Sequence, residues 1–377
     1  MPATDEIEDV EASVIPRFDR RVYCLLGIPI DATTADDAVG RLAQAIKFRA
    51  KCVWSTPNLN NLVACQSDPE FREMLLRSDF LTADGMSLVL LSRMLSIPVA
   101  ERVAGSSVFE RMVRGAVGPI GVYFFGGTNV AAKRACSRLS VISNSMRCVG
   151  YRAPGFGSID DMCVDDIIAA INVTKPDLLV LALGTQRGHE WIRRSIDRLS
   201  VPVVAHLGSV VNFVAGTVRR APHWLQRAGL EWLWRIVEEP HLWLRYLRDF
   251  AVLLRLLITR VLPAILHHIT TPPSDFHVKR ARLSMKCEGS NRVFQLEGAL
   301  VEHNLQFVRD AFANAALEQA DFVLDFARVS HIDASAIGLM MIARGYQARR
   351  RRTLRIVSVS PGVRRIFRLH CAEYLLS

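Results

Sequence analysis

Four short polar clusters in this 377-residue chain each follow directly on an apolar run. They are Thr56-Pro57-Asn58, Asp84-Gly85, Gly126-Gly127-Thr128 and the stretch from Gly184 through Gln186 and His189 to Glu190. Asp84, a carboxylate at the end of an apolar run, can serve as a general base or can cap a turn with Gly85. Gly126-Gly127-Thr128 stands between a strand-like and a helical stretch. Its backbone N–H groups can meet a phosphate at a helix N-terminus, or its glycines can simply make the turn. Arg102, in Glu101-Arg102-Val103-Ala104-Gly105, can grip a phosphate in a two-pronged fork or pair with a surface acid. Other chemistries lack their residues: there is no GxSxG elbow, HExxH pair, Walker A loop or GxGxxG fingerprint. His189 and the pair His267-His268 have no partners at metal-ligand spacing, so neither a metal nor a cofactor is expected.

The elements that must carry these clusters follow from the apolar pattern. Strands are expected at Arg21–Pro29, Cys52–Thr56, Gly121–Phe125, Cys148–Tyr151, Leu178–Leu183 and Val201–His206, with an apolar run at Phe80–Ala83 leading into Asp84. Helices are expected at Ala35–Phe48, Asn58–Ser78, Val130–Leu139 and Asp165–Val173. Strands apolar on both faces and alternating with helices indicate a Rossmann-like, mostly parallel α/β sheet. Such a sheet binds ligands at the carboxyl ends of its strands, where the four clusters fall.

From Gly229 to Thr270 the composition changes to Trp, Leu and Arg, with arginines at 235, 245, 248, 255 and 260. Helices of this kind either lie in a membrane interface, aromatics inserted and guanidinium groups on headgroups, or pack as an ordinary pair on the domain; the Trp-Arg density favours the interface. No run reaches the ~18 charge-free apolar residues of a spanning helix. The organisation is therefore a polar lead-in at 1–19, an α/β domain at 20–228, a helical appendage at 229–270, a linker at 271–275 and a small α/β domain at 276–377. In that last domain strands are expected at Arg292–Leu296, Phe322–Asp325 and Thr353–Val359, and helices at Glu302–Ala316 and Ser335–Arg349.

The net charge of +10, without a zinc-finger or other nucleic-acid motif, points to anionic lipid or phosphorylated substrates and away from nucleic acid. Eight scattered cysteines read as reduced, mostly buried thiols of a cytoplasmic protein, and the acidic residues 1–11 do not form a signal peptide.

Taken in order, these residues resemble the WecG/TagA/CpsF glycosyltransferases over roughly Val22 to Tyr246. The series is Thr56-Pro57-Asn58, Ser78-Asp79, Ala83-Asp84-Gly85, Glu101 to Gly105, Phe125-Gly126-Gly127 and Leu183-Gly184-Thr185. The most specific part runs from Ala215-Gly216 through Arg220-Ala221-Pro222, Gly229 to Arg235 and Glu239-Pro240 to Arg245-Tyr246. The resemblance implies inverting transfer of a sugar, N-acetylmannosamine, a uronic acid or similar, from a UDP-sugar to a polyprenyl-pyrophosphate-linked acceptor. It implies that this happens at the inner face of the cytoplasmic membrane, during exopolysaccharide or cell-surface polysaccharide synthesis. It makes Asp84 the base, places Thr56, Asn58 and Arg102 in the pocket, and has Arg235 and Arg245 complete the site. No DxD pair stands where it would hold a metal.

The chain departs from the family pattern at Gln186-Arg187-Gly188-His189, where Pro-Lys-Gln-Glu is usual, so the pocket glutamine falls at Gly188 and Gln186 or His189 would substitute. Asn212, Ser107 and Leu242 also replace expected residues. The tail resembles a STAS domain through Phe322 to Phe326 and Ile332-Asp333-Ala334-Ser335-Ala336-Ile337-Gly338. Ala334 stands where phosphorylated members carry Ser or Thr, and Ser335 is one residue later. The resemblance makes this module a docking or scaffold domain for a protein partner. The alternative to an active enzyme is a catalytically impaired membrane scaffold recruited through the STAS-like domain.

Overall fold

The computed structural model describes residues 18–155, 157–218, 221, 222, 224, 225 and 231–377. Nearly all of the expected lead-in, together with Arg220, Gly229 and Leu230 of the motif run, lies outside the described residues.

Twelve strands are present among them: β1 (Val22–Leu25), β2 (Ile28–Asp31), β3 (Cys52–Ser55), β4 (Phe80–Leu81), β5 (Ile120–Gly126), β6 (Met146–Arg152), β7 (Leu178–Ala182), β8 (Val203–His206), β9 (Arg282–Glu288), β10 (Asn291–Leu300), β11 (Asp321–Ile332) and β12 (Leu354–Val357). The large sheet has the order β4-β3-β8-β7-β5-β6, every neighbour parallel. The pleat sends alternate residues to two separate cores. Trp54, Val122, Phe124, Leu178 and Val180 enter one, and Val53, Tyr123, Phe125, Leu179 and Leu181 the other. Both faces are covered, as the near-continuous apolar strands require.

Four expectations about elements need correction. Arg21–Pro29 is not one strand: Leu26 and Gly27 take φ of 47° and 91° and turn the chain into the antiparallel hairpin β1–β2. The helix expected over 58–78 is two, Leu59–Ser67 and Pro69–Leu76, because Asp68 caps the second with its side chain on the Phe71 N–H and Pro69 cannot continue the first. Cys136 and Cys148 form a disulfide, joining the helix Asn129–Ile142 to β6, so these two are not free thiols; the other six are. Finally, the appendage contains one unbroken helix, Trp243–Thr270, that is long and apolar enough to cross a membrane. Arg255 and Arg260 interrupt the apolar sequence without ending the helix, which a charge-free criterion misses. It widens into a π-turn at Leu257–Val261 just before Pro263, the residue that cannot donate to the preceding turn.

This helix is two-sided. Asp249, Leu256, Val261 and Ala264 are buried; Leu256 and Val261 join a core of the α/β domain, and Asp249 meets Asn60. Trp243, Leu247, Phe250, Leu254, Ile258, Leu262, Leu266 and Ile269, at helical spacing, are all exposed.

The C-terminal domain is a four-stranded mixed sheet, β12-β11-β10-β9, with β9 antiparallel to β10 and the other pairs parallel. It does not stand apart. Its core continues into Phe18, Val22, Cys24 and Leu76 of the first domain. Phe18 packs edge-on to Phe312 at 5.7 Å and Tyr346 at 5.6 Å, and Arg309 Nη1 donates to the Phe18 and Arg20 carbonyls. Ser335 is 1% exposed, and its Oγ has no hydrogen-bond partner among the described residues.

Candidate active site

A cleft of about 320 Å³ opens at the carboxyl ends of β3, β4, β7 and β8. Thr56 and Asn58 come from β3, Asp84 from β4, Gly184 and Thr185 from β7, and His206 to Val210 from β8. The appendage closes one side with Arg235, Glu239, Leu242 and Arg245. Backbone hydrogen bonds hold the loops to one another: the Asp84 N–H donates to the Pro57 carbonyl at 2.9 Å and the Val103 N–H to the Ala83 carbonyl at 3.0 Å. Asn58 also caps the helix Leu59–Ser67, its side chain accepting from the Asn61 N–H.

The two histidines of the cleft have defined tautomers. His189 Nδ1 lies 2.8 Å from the Thr185 carbonyl, which can only accept, so Nδ1 carries the proton. Nε2 then accepts from Ser55 Oγ at 3.1 Å, and Ser55 in turn accepts from Ser78 Oγ at 2.7 Å. Burial drives the His189 imidazole down to about 4, so the ring is neutral at pH 7. His206 stands 4.9 Å from it, ring to ring. Burial first, and the neighbouring His189 second, push His206 down to about 3. Its Nε2 donates to the Gly184 carbonyl at 3.1 Å, leaving Nδ1 as the acceptor of a neutral ring. His206 can occupy this position only because residue 188 has no side chain: a Cβ there would lie 2.3 Å from His206 Cδ2.

The appendage is tied to the cleft from behind. Asn60 Nδ2, on a helix that begins at the cleft, donates to both oxygens of Asp249 at 3.3 and 3.1 Å, and Asp249 is only 2% exposed. Arg102 pairs with Glu231, the first residue of the helix Glu231–Glu238 that carries Arg235. Arg245 Nε is buried with no hydrogen-bond partner among the described residues.

Of the residues singled out from sequence, the structure gathers Thr56, Asn58, Asp84, Gly184, His189, Arg235 and Arg245 around one cleft. It does not bring Gly126, Gly127, Arg102 or Gln186 to that lining. The Gly127 N–H is spent on the Ala182 carbonyl at 2.9 Å and so is not turned to a phosphate. Arg102 braces the appendage, and Gln186 Nε2 donates to Asp68 on the exposed surface at 2.9 Å. Sequence reasoning missed His206, Asn60 and Asp249. His206 follows an apolar strand as the four clusters do, and that was the available signal. Among the described residues no group of three or more His, Cys, Asp or Glu converges as a metal site.

Comparison with known proteins finds two family models along the chain. Residues 23–264 match the model of the Glycosyl transferase WecG/TagA/CpsF family, and residues 282–372 match the STAS domain. An N-acetylglucosaminyldiphosphoundecaprenol N-acetyl-beta-D-mannosaminyltransferase of Bacillus subtilis (strain 168) is 27% identical over 52% of this chain and 75% of its own length. The enzyme of the same name from Bacillus spizizenii is 28% identical over 48% and 68%. That of Staphylococcus aureus (strain NCTC 8325 / PS 47) is 23% identical over 56% and 82%.

Proposed function

The chain belongs to the WecG/TagA/CpsF family of glycosyltransferases, and from that membership we propose that it transfers a sugar from a UDP-sugar to a saccharide carried on polyprenyl diphosphate. The single observation that carries this reading is the composition of the cleft. A carboxylate, Asp84, and two arginines, Arg235 and Arg245, line one space at the root of a helix whose outer face is apolar.

In the proposed step Asp84 takes the proton of the acceptor hydroxyl as its oxygen bonds to the anomeric carbon. The bond from that carbon to the diphosphate oxygen breaks, and UDP leaves with the electron pair. Arg235 and Arg245, which line the cleft, receive the charge that develops on the diphosphate. Attack opposite the departing UDP inverts the anomeric centre. The relatives' names specify an N-acetylmannosaminyl group and an N-acetylglucosaminyl-diphospho-undecaprenol acceptor; an N-acetylhexosamine or uronic acid and an acceptor of this kind are the corresponding proposals here. The apolar stripe of Trp243–Thr270 would lie in the inner leaflet and bring the cleft to the lipid-linked diphosphate.

The test is UDP release from a panel of UDP-sugars with N-acetylglucosaminyl-diphospho-undecaprenol in detergent or vesicles. Release with one donor, dependent on the acceptor, supports the reading. A folded, vesicle-bound protein with no release from any donor contradicts it.

A further inference from the structure

The helix Ala334–Arg349 of the STAS-like domain lies against the transferase at backbone distance. A Cβ at Gly338 would fall 2.4 Å from the Val22 carbonyl oxygen, and one at Gly345 would fall 1.9 Å from that of Leu76. The helix ends on Arg349, whose Nη1 pairs with Asp79 Oδ1 at 2.6 Å. The second oxygen of that carboxylate accepts the Val53 N–H at 2.8 Å, and the Asp79 N–H donates to the Val53 carbonyl at 2.9 Å. Arg41 Nη2 holds the Asp79 carbonyl at 2.8 Å. Asp79 is thus the clasp between the C-terminal domain and β3.

From there the connection runs into the cleft. Ser78, beside Asp79, donates to Ser55, and Ser55 donates to His189. Ser55 ends β3 and immediately precedes Thr56, Pro57 and Asn58, all of which line the cleft with His189. Arg349 also borders a small void of about 50 Å³ behind His189, so the same histidine faces the STAS-like domain on one side and the cleft on the other.

We propose that Arg349 is a positioning residue of the transferase site, and that the STAS-like domain works as a fixed part of the enzyme through it. Arg349 touches neither substrate nor reacting atoms. It sets Asp79, Asp79 and Ser78 set the end of β3, and β3 sets Thr56, Asn58 and, through Ser55, the hydrogen bond that His189 Nε2 accepts. The proposal rests on the glycosyltransferase reading for its consequence in turnover and on the hydrogen-bond chain alone for its consequence at His189.

Spatial connection is not coupling, so the test compares two contacts of the same helix. Arg344 pairs with Glu73 at 2.8 Å in the same interface and donates to the Tyr374 carbonyl, with no contact to β3 among the described residues. In the full chain, Arg349→Met is expected to lower kcat between about tenfold and a hundredfold, the scale on which small misplacements act. KM should change little, and Arg349→Lys should restore much of the loss. Arg344→Met should lower thermal stability by a comparable amount and leave kcat alone. The His189 Nδ1–H proton resonance, assigned with His189→Gln, should move in Arg349→Met and stay in Arg344→Met. Equal kcat in the two methionine variants, or an unmoved His189 resonance, overturns the proposal. If the wild type itself releases no UDP, the glycosyltransferase reading fails, and the resonance still decides whether Arg349 is coupled to the cleft.

Discussion

The main chain at Asp84 is fastened to the Thr56-Pro57-Asn58 loop, and the cleft floor beneath is made of two neutral imidazoles in van der Waals reach of each other. Gly188→Ala tests that floor. The added methyl would overlap the His206 ring, displacing it, and overpacking of this kind costs about 1–3 kcal/mol. The variant is expected to lose stability and turnover together, while Gly188→Ala combined with His206→Ala regains most of the stability, read as the thermal midpoint. The histidines also set a pH dependence. Their folded-state pKa values, about 4 and about 3, lie below the unfolded value of 6.5. Below pH ~6.5 the unfolded chain therefore binds protons that the folded chain does not, and stability falls as pH drops through this window. Urea midpoints should decline between about pH 7 and pH 5 in the wild type, and less in His189→Gln; a flat wild-type profile would refute the neutral, buried state of His189. At this scale the sequence was legible where a polar residue follows an apolar strand, as at Thr56, Asn58, Asp84 and Gly184. His206 carried the same signal, but its place beside Gly188 was not legible, because that depends on an absent side chain on another element. Gln186 and Gly127 read well from their neighbours in sequence and are engaged elsewhere by a surface aspartate and a strand carbonyl.

Among the elements, the helix Trp243–Thr270 carries the most distinctive physics. Its buried side holds Asp249 to Asn60, while its outer stripe offers Phe250, Leu254 and Ile258 to the surroundings. Replacing two of these, as in Phe250→Glu with Leu254→Glu, removes apolar contact and adds negative charge without touching the domain. Binding to vesicles containing anionic lipid is expected to fall at least tenfold, about 1.4 kcal/mol or more, with the thermal midpoint unchanged. Retained binding would mean that another surface meets the membrane. The helical and amphipathic character of this segment could be read from its Trp, Leu and Arg spacing, but its continuity could not, since arginines spaced along a helix give no sign that it continues through them. The parallel sheet was legible for the opposite reason: strands buried on both faces have no polar alternation to mislead. β9 escaped notice because it is an edge strand with six of its seven residues exposed, and its polar sequence has no apolar face to announce it. The break at Asp68-Pro69 was present in the sequence as a capping aspartate before a proline.

For the molecule as a whole, the main consequence is that two matched domains share one core. Phe18, Val22, Cys24 and Leu76 are buried by residues of the C-terminal half, and Arg20 is buried beside Asp31 on the same side. A chain ending at residue 275 would expose that surface, and it is expected to unfold non-cooperatively or aggregate instead of retaining an independent transferase. Calorimetry of the truncated chain decides this: a sharp transition near that of the full protein would show the domains to be independent. Composition and motif order were enough to see that two domains exist. That the helix Ala334–Arg349 is buried against the first domain follows from Gly338 and Gly345, whose value lies only in what approaches them.

We propose that Asp84 is the base of sugar transfer in this cleft. It is tested most directly by UDP release with the matched donor and N-acetylglucosaminyl-diphospho-undecaprenol, comparing the wild type with Asp84→Asn. Asp84→Asn is expected to lose about a hundredfold to ten-thousandfold in kcat, with the donor still bound. Turnover undiminished in Asp84→Asn would contradict it.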